Sequence, residues 1–509
     1  MLKPAIHFGG ELEPGTEVAA RYGRAAAALH SLGIGKGDVV ALILHNEPLL
    51  VELMLAARHL GARWCLINWH FKASEVRHIL QDSGAKVLIL HADLLGGMRD
   101  GIPPGLRTFV AWPHARTLEA FGIRDVDLPR DPLPESWASY CDMPRAAAEA
   151  AASPGGAMLY TSGTSGRPKG ILRNPSTAEQ DAALMEGWRI AFGIEPGMRA
   201  LVSAPLYHSG PAAFLNLAAL NDAELFIEPR FDAEATLRLI ESERITHLYL
   251  VPTMYMRLLR LAPEVRVRHD LSSVQFVAST GSACAPEVKR CLIEWWGPVF
   301  HETYAASELG LITHADSQEA LRKPGSSGRA LPGVSLRIVG DDGQALPPGQ
   351  IGSIYARVAA MPDFTYHDNG EARRDLELDG LWTLGDMGYL DEEGSLFVVD
   401  RKADMVISGG VNIYPAEIEA ELIQMPGIAD CAVFGVPDDE YGETVLAAVQ
   451  VSDGTLTAEQ VQIWLRDRVA NFKMPRRIVF HDQLPREETG KIFKRRLRAP
   501  YWEHHERKI

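Results

Sequence analysis

The sequence predicts an α/β protein with a large N-terminal domain and a small C-terminal one. The large domain has several parts: parallel sheets flanked by helices, plus a small β-barrel-like part. The small one is α+β. Three observations carry this. Short apolar runs alternate with helical periodicity through the first hundred residues and again over 200–278. The texture then changes over 325–355 to short strands punctuated by Gly and Pro turns. After Asp400 a compact unit of its own begins, giving domains 1–399 and 400–509.

The elements follow in order. Residues 16–32 are helix, ending at Gly33, and 39–44 is a continuous apolar strand. A helix over 48–60, a strand over 64–67, a helix capped by Ser74 and reaching Asp82, and a strand over 87–90 complete the first block. Strand–helix–strand order implies parallel pairing with right-handed crossovers. Strands are expected at 200–203, 224–227, 247–251 and 274–278, and at 298–300. Turns are read at 340–343 and 391–394. In the small unit, Pro415 opens a helix to about residue 424, with strands over 431–434 and 445–451. Thr457 and Gln460 form a capping box for a helix to residue 469, before a last strand at 478–480.

The formal charge of −15 argues against a nucleic-acid binder. The five cysteines are scattered, with no paired C-x-x-C, which disfavours zinc and a disulfide framework. There is no apolar leader and no run of about eighteen apolar residues, so a cytoplasmic protein without an integral membrane segment is expected. The basic residues near the C-terminus, Lys473, Arg476, Arg477, Arg486, Lys491, Lys494, Arg495, Arg496 and Arg498, read mostly as a solvated surface.

The most informative stretch is 160–170, Tyr-Thr-Ser-Gly-Thr-Ser-Gly-Arg-Pro-Lys-Gly, directly after Ala157, Met158 and Leu159. Glycines let backbone N–H groups approach a polyphosphate, the hydroxyls of Thr161, Ser162, Thr164 and Ser165 donate further, and Lys169 adds positive charge. It is not the common P-loop. Proline stands where a helix would start, and no Ser or Thr follows the lysine to hold magnesium.

Weaker signals lie elsewhere, each with an ordinary structural reading. Tyr304, Ser307 and Glu308 follow the 298–300 strand: an aromatic for stacking and a carboxylate for a hard cation. His208 lies in a polar turn. Asp386 and Asp400 are strand-end carboxylates or turn formers. Gly409 and Gly410 are a tight turn or a place of close backbone approach. Lys491 follows Gly490 in a turn, or is simply a surface lysine.

Together and in this order, over 16–497, these segments resemble the adenylate-forming acyl-CoA synthetases. The resemblance implies that Thr161, Ser162, Gly163, Thr164, Ser165, Gly166 and Lys169 form the phosphate loop. Gly281, Ser282 and Ala283 would lie against adenine, with Tyr304 stacked on it. Ser307 would touch the α-phosphate, Glu308 would ligate Mg2+, and Asp386 with Arg401 would hold the ribose. His208 would guard the acyl pocket, Asp400 would be the hinge, Gly409 and Gly410 would wall the pantetheine tunnel of coenzyme A, and Lys491 would be the adenylation lysine.

The implied reaction is carboxylic acid plus ATP to acyl-AMP and pyrophosphate, then thiol attack to acyl-CoA and AMP. An ionised acid attacking phosphorus needs charge neutralisation rather than a base. Lys491, Glu308, His208 and Thr161 are the expected catalytic residues. The expected partners are a small-molecule acid, ATP and CoA, with a homodimer as the candidate assembly. Small residues Ala278, Ser279, Ala305 and Ala306, with His208 and Phe214, suit an apolar fatty or bulky cyclic acid. Alternatives are an aromatic acid–CoA ligase, a luciferase-like oxygenase, a carrier-loading enzyme and an inactive scaffold. Four departures stand out. Ala305 replaces the usual glycine, and Ser165 and Ser307 replace threonines. The lysine of the 400–404 segment is displaced by one position.

Overall fold

The computed structural model describes residues 2–124, 127–129, 134–153, 155–162, 168–282, 284–367, 370–452, 456–486 and 492–503, the side chains of 161, 162 and 372 excepted. Two parallel sheets dominate. The first comprises Arg63–Leu66, Val39–Ile43, Val87–His91, Arg107–Ala111 and Glu135–Ser136, all paired parallel. Val39–Ile43 and Val87–His91 are buried at every position, as strands covered on both faces must be. The second has a parallel core running from Phe300–Ala306 through Phe276–Ser279, His247–Leu250, Arg199–Val202 and Glu224–Ile227 to Ala5–Phe8. Antiparallel strands close both its edges.

A three-stranded antiparallel sheet joins Phe364–Tyr366, Pro168–Arg173 and Leu159–Ser162. A second antiparallel sheet, the small β part, holds Val334–Val339, Gly352–Val358, Leu381–Leu390, Glu377–Leu378 and Leu396–Arg401. The smaller C-terminal domain has a sheet of Val411–Ile413, Val406–Ser408, Gly442–Val451 and Ile428–Asp438, with Arg477–His481 added parallel. It has its own core, which includes Val406, Ile418, Val433, Ala447 and Leu465. Leu446, next to Ala447, faces a second cluster with Phe434 and Leu484. Alternation along one strand thus feeds two cores on opposite faces of the sheet. Among the described residues no helix is long and apolar enough to cross a membrane.

Most expected elements stand within two residues of their reading, and the differences have local causes. The helix Ala73–Asp82 begins one residue before Ser74. Lys72 holds the cap position, and the Glu75 carboxylate accepts from the Lys72 backbone N–H at 2.9 Å. The strand expected at 298–300 is Phe300–Ala306, so Tyr304 lies inside a strand rather than after one. Asp386 likewise sits within Leu381–Leu390, not at a strand end, in register with Arg401. The 160–170 stretch crosses a hairpin: Thr161 pairs with Lys169 and Ser162 with Pro168. Proline is tolerated there as the first residue of its strand.

Polar groups tie the sheets together. The Asn46 amide donates to Ala204 O at 2.9 Å, and its Oδ1 accepts from Leu206 N at 2.9 Å, which fixes the segment before His208. The ends of Val39–Ile43 and Val87–His91 are joined by His45 Nε2 to Asp93 Oδ2 at 2.8 Å and by His45 N donating to His91 Nδ1 at 3.1 Å. Burial raises the Glu47 carboxyl, but His91 Nε2 3.3 Å away and the His114 backbone N–H, which donates to it at 2.8 Å, outweigh burial and hold Glu47 below its ordinary value.

Glu52 points the other way. It is buried in the helix Pro48–His59, 3.5 Å from Arg21, and burial pushes its carboxyl from 4.5 up to about 7 against the pull of Arg21. Below the unfolded value both states are protonated and nothing is lost. As pH rises the unfolded chain ionises first, so the folded state loses roughly 3 kcal/mol by the time pH passes the folded value. Glu52→Gln is therefore expected to raise the melting temperature at pH 8 and to change it little near pH 4.5. Equal shifts at both pH values would contradict this.

Candidate active site

Of the described candidate residues, Tyr304, Ser307, Glu308, Asp386 and Lys169 lie where strands of three sheets approach one another. The strand Phe300–Ala306 carries Tyr304, with a β-bulge between Tyr304 and Ala305. Bulges re-aim side chains beside functional sites. The Tyr304 hydroxyl donates to Asp386 Oδ2 at 2.6 Å, and Arg401 Nε lies 3.4 Å from Asp386 Oδ1. Burial, then the Asp386 charge, raises the Tyr304 phenol well above its ordinary value, so it remains a donor. An aromatic face and a carboxylate bound edge to edge are the pair that a base and its ribose require.

Ser307 and Glu308 follow in the turn before Gly310–Asp316. Ser307 Oγ is 3.0 Å from Ser209 Oγ, in the first turn of the helix Ser209–Leu220, whose cap position is His208. The His208 ring lies 4.5 Å from that of Tyr207. Glu308 is 8 % exposed and accepts from the Tyr366 hydroxyl at 3.1 Å. The Lys169 ammonium stands 5.2 Å from the Tyr366 ring centroid. Thus Tyr366 links the Glu308 carboxylate to the base of the 160–170 hairpin. Its strand, Phe364–Tyr366, pairs with Pro168–Arg173, which carries Lys169.

Three residues of the site are absent from the sequence reading: Arg173, Tyr366 and Ser209. Arg173 donates to the carbonyls of Ser307 at 2.5 Å and Glu308 at 2.8 Å, fixing the turn that carries both. Burial lowers its guanidinium to about 10, which still leaves it charged at neutral pH. Its one local signal is its place at the end of an apolar strand leaving a glycine-rich loop. Ser209 is visible only as the neighbour of His208. Gly281 has φ +96, a backbone that only glycine adopts readily, and with Ser282 it is exposed. Gly163, Thr164, Ser165, Gly166, Ala283 and Lys491 lie outside the described residues, as do the side chains of Thr161 and Ser162.

Gly409 and Gly410, at φ +56 and +81, make the two-residue turn between Val406–Ser408 and Val411–Ile413. Gly409 N donates to Tyr441 O at 2.9 Å. Asp400 lies near the end of the strand Leu396–Arg401, just before this domain. Its Oδ2 accepts from Ala416 N at 2.9 Å, in the first turn of Pro415–Leu422. Burial raises its carboxyl, opposed by Lys494. Lys494 pairs with Glu419 at 2.9 Å; burial lowers it, but Glu419 and Asp400 prevail and carry it to about 12. The expectation of a solvated basic surface therefore does not hold for Lys494.

The site thus brings an aromatic ring, carboxylates and hydroxyls together on one domain, with a carboxylate at the boundary to a smaller domain that carries a glycine turn. The profile of the AMP-binding enzyme family matches residues 3–361, and that of the AMP-binding enzyme C-terminal domain matches 417–491. The chain belongs to the AMP-binding enzyme family. It is 34 % identical to an indoleacetate–CoA ligase of Aromatoleum aromaticum, over 97 % of this chain and 94 % of that one. It is 33 % identical to the long-chain-fatty-acid–CoA ligase FadD13 of Mycobacterium tuberculosis, over 96 % and 95 %. The solved structure of ATP-bound MatB from Rhodopseudomonas palustris is 28 % identical, with a TM-score of 0.81 and coverage of 98 % and 96 %.

Proposed function

We propose that the protein is an AMP-forming acid–CoA ligase. The observation that carries this reading is the set of pairs along residues 304–308: Tyr304 with Asp386, Ser307 with Ser209, and Glu308 with Tyr366, whose ring lies beside Lys169. It offers in sequence a ribose acceptor, a stacking ring, hydroxyls for an α-phosphate, and charge for the departing pyrophosphate. The acid attacks as its carboxylate, so the residues align and neutralise rather than remove a proton. Tyr304 and Asp386 hold the nucleoside with Arg401 and Gly281. Lys169 and the hydroxyls of the 160–170 segment hold the β- and γ-phosphates. Lys491 meets the charge that builds on the α-phosphate. Glu308 fits a hard divalent cation, because a carboxylate is a hard oxygen ligand and this one stands, through Tyr366, beside the strand that carries Lys169. Magnesium there would supply neutralisation of phosphate charge.

For the second step, the turn at Gly409 and Gly410 offers backbone to a pantetheine arm, and the exposed Val411 beside it adds apolar surface. A boundary near residue 400 lets the small domain turn about Asp400 between the half-reactions, clearing Lys491 from the thiol's path. The two ligase relatives are named for an aromatic acid and a fatty acid, which supports an acid of one of these classes for this chain.

The test is pyrophosphate release from ATP with a panel of carboxylic acids, with and without CoA. Acid-dependent release together with acyl-CoA is expected. Release without thioester formation would instead support the loading of a carrier protein. No release with any acid from folded protein would overturn the ligase reading.

A further inference from the structure

Tyr249 lies in the strand His247–Leu250 and is 2 % exposed. Its hydroxyl makes no hydrogen bond to any described residue, and burial alone raises its phenol. The residue as a whole is buried, but its oxygen is not among the fully sealed unpaired atoms, so it stays open to a partner that enters the site and would be costly to cover without one. Its position is defined by Gly210, where an added methyl would overlap the hydroxyl and lie 3.5 Å from the Thr280 methyl. Gly210 adjoins Ser209, which reaches Ser307, and Thr280 adjoins Gly281. The hydroxyl therefore sits between the two segments that flank the expected acyl-adenylate.

The surroundings favour a ring. Behind the hydroxyl, Phe192, Phe214 and Tyr249 pack with centroids 5.9 Å apart on all three sides. Phe192 and Phe214 are fully buried, so this wall leaves no path for a chain to pass. Along the helix Ser209–Leu220 the half-buried face presents Ser209, Ala213 and Asn216, while Phe214, Leu215 and Ala218 are sealed on the other side. Asn216 Oδ1 is buried and also lacks a hydrogen-bond partner. An alkyl chain on this face would leave both polar atoms unpaired.

We infer that the Tyr249 hydroxyl selects the acid, and that the preferred substrate is a cyclic carboxylic acid whose ring carries a hydrogen-bonding group, such as a hydroxyl or ring N–H. This rests on the ligase reading and narrows its substrate class. The loss from an unpaired buried polar group corresponds to about 10- to 100-fold in selectivity.

The experiment compares kcat/KM for matched acids: indole-3-acetate against 1-naphthylacetate, each hydroxyphenylacetate against phenylacetate, and octanoate and dodecanoate. The wild-type enzyme is expected to prefer one hydrogen-bonding member over its partner by at least about 10-fold. Tyr249→Phe is expected to bring that ratio close to one. Gly210→Ala, which displaces the hydroxyl by crowding, provides a second variant with the same expectation should the first fail to fold. A ratio retained in the variants, or alkanoates preferred over every ring acid, would overturn the inference while leaving the ligase reading intact. No acid-dependent pyrophosphate release at all would overturn both.

Discussion

Lys491→Ala is expected to lower acid-dependent pyrophosphate release by about 100- to 1,000-fold, the range seen when one preorganised donor to a developing charge is removed. Thioester formation from preformed acyl-adenylate and CoA should stay within a few-fold. The asymmetry follows from charge. In the first step a carboxylate approaches a triphosphate, anion on anion, and a cation beside the α-phosphate acts in the transition state. In the second, a thiol attacks a carbonyl already activated by its AMP leaving group. Residue 491 lies outside the described residues, but Arg486 and Ile492 form an antiparallel bridge on either side of its segment, and Phe493 N donates to Pro485 O at 2.9 Å. Stopped assays of each half-reaction check this; equal losses in both would remove Lys491 from the adenylation step.

The parallel strands are legible in the sequence because burial on both faces makes them unbroken apolar runs, as in Val39–Ile43. Phe300–Ala306 extends past its apolar start because its later residues, including Tyr304 and Ala305, are half-buried around the site and break that pattern. The hairpin at 160–170 looks like a loop in sequence because Pro168 and Lys169 are poor strand formers; pairing on both sides by Leu159–Ser162 and Phe364–Tyr366 overrides their preference. Tyr304, Glu308 and Asp386 are legible as chemical types in an ordered series. Arg173 and Tyr366 are not, since their roles exist only across chain separations of 135 and 58 residues from Glu308. A single sequence without an alignment carries no sign of such pairings.

Glu308→Gln is the second large effect. The amide keeps the size of the side chain and still offers an oxygen to the Tyr366 hydroxyl, while Arg173 continues to hold the carbonyls of residues 307 and 308. What disappears is the negative charge. A hard divalent cation binds carboxylate far better than a neutral amide, so the magnesium concentration for half-maximal adenylation should rise at least about 10-fold. The maximal rate should fall by about 10- to 100-fold, less than the full loss of a charge interaction, because the amide oxygen still offers the cation a neutral ligand. Tyr366→Phe provides the contrast: it removes the hydrogen bond but keeps the charge, so its magnesium titration should move only slightly. If Glu308 served merely to anchor Tyr366, the two variants would behave alike and both would show their main effect in thermal stability. A magnesium titration unchanged in Glu308→Gln would take this carboxylate out of the metal site, and the charge on the departing pyrophosphate would then fall to Lys169 and the hairpin hydroxyls alone.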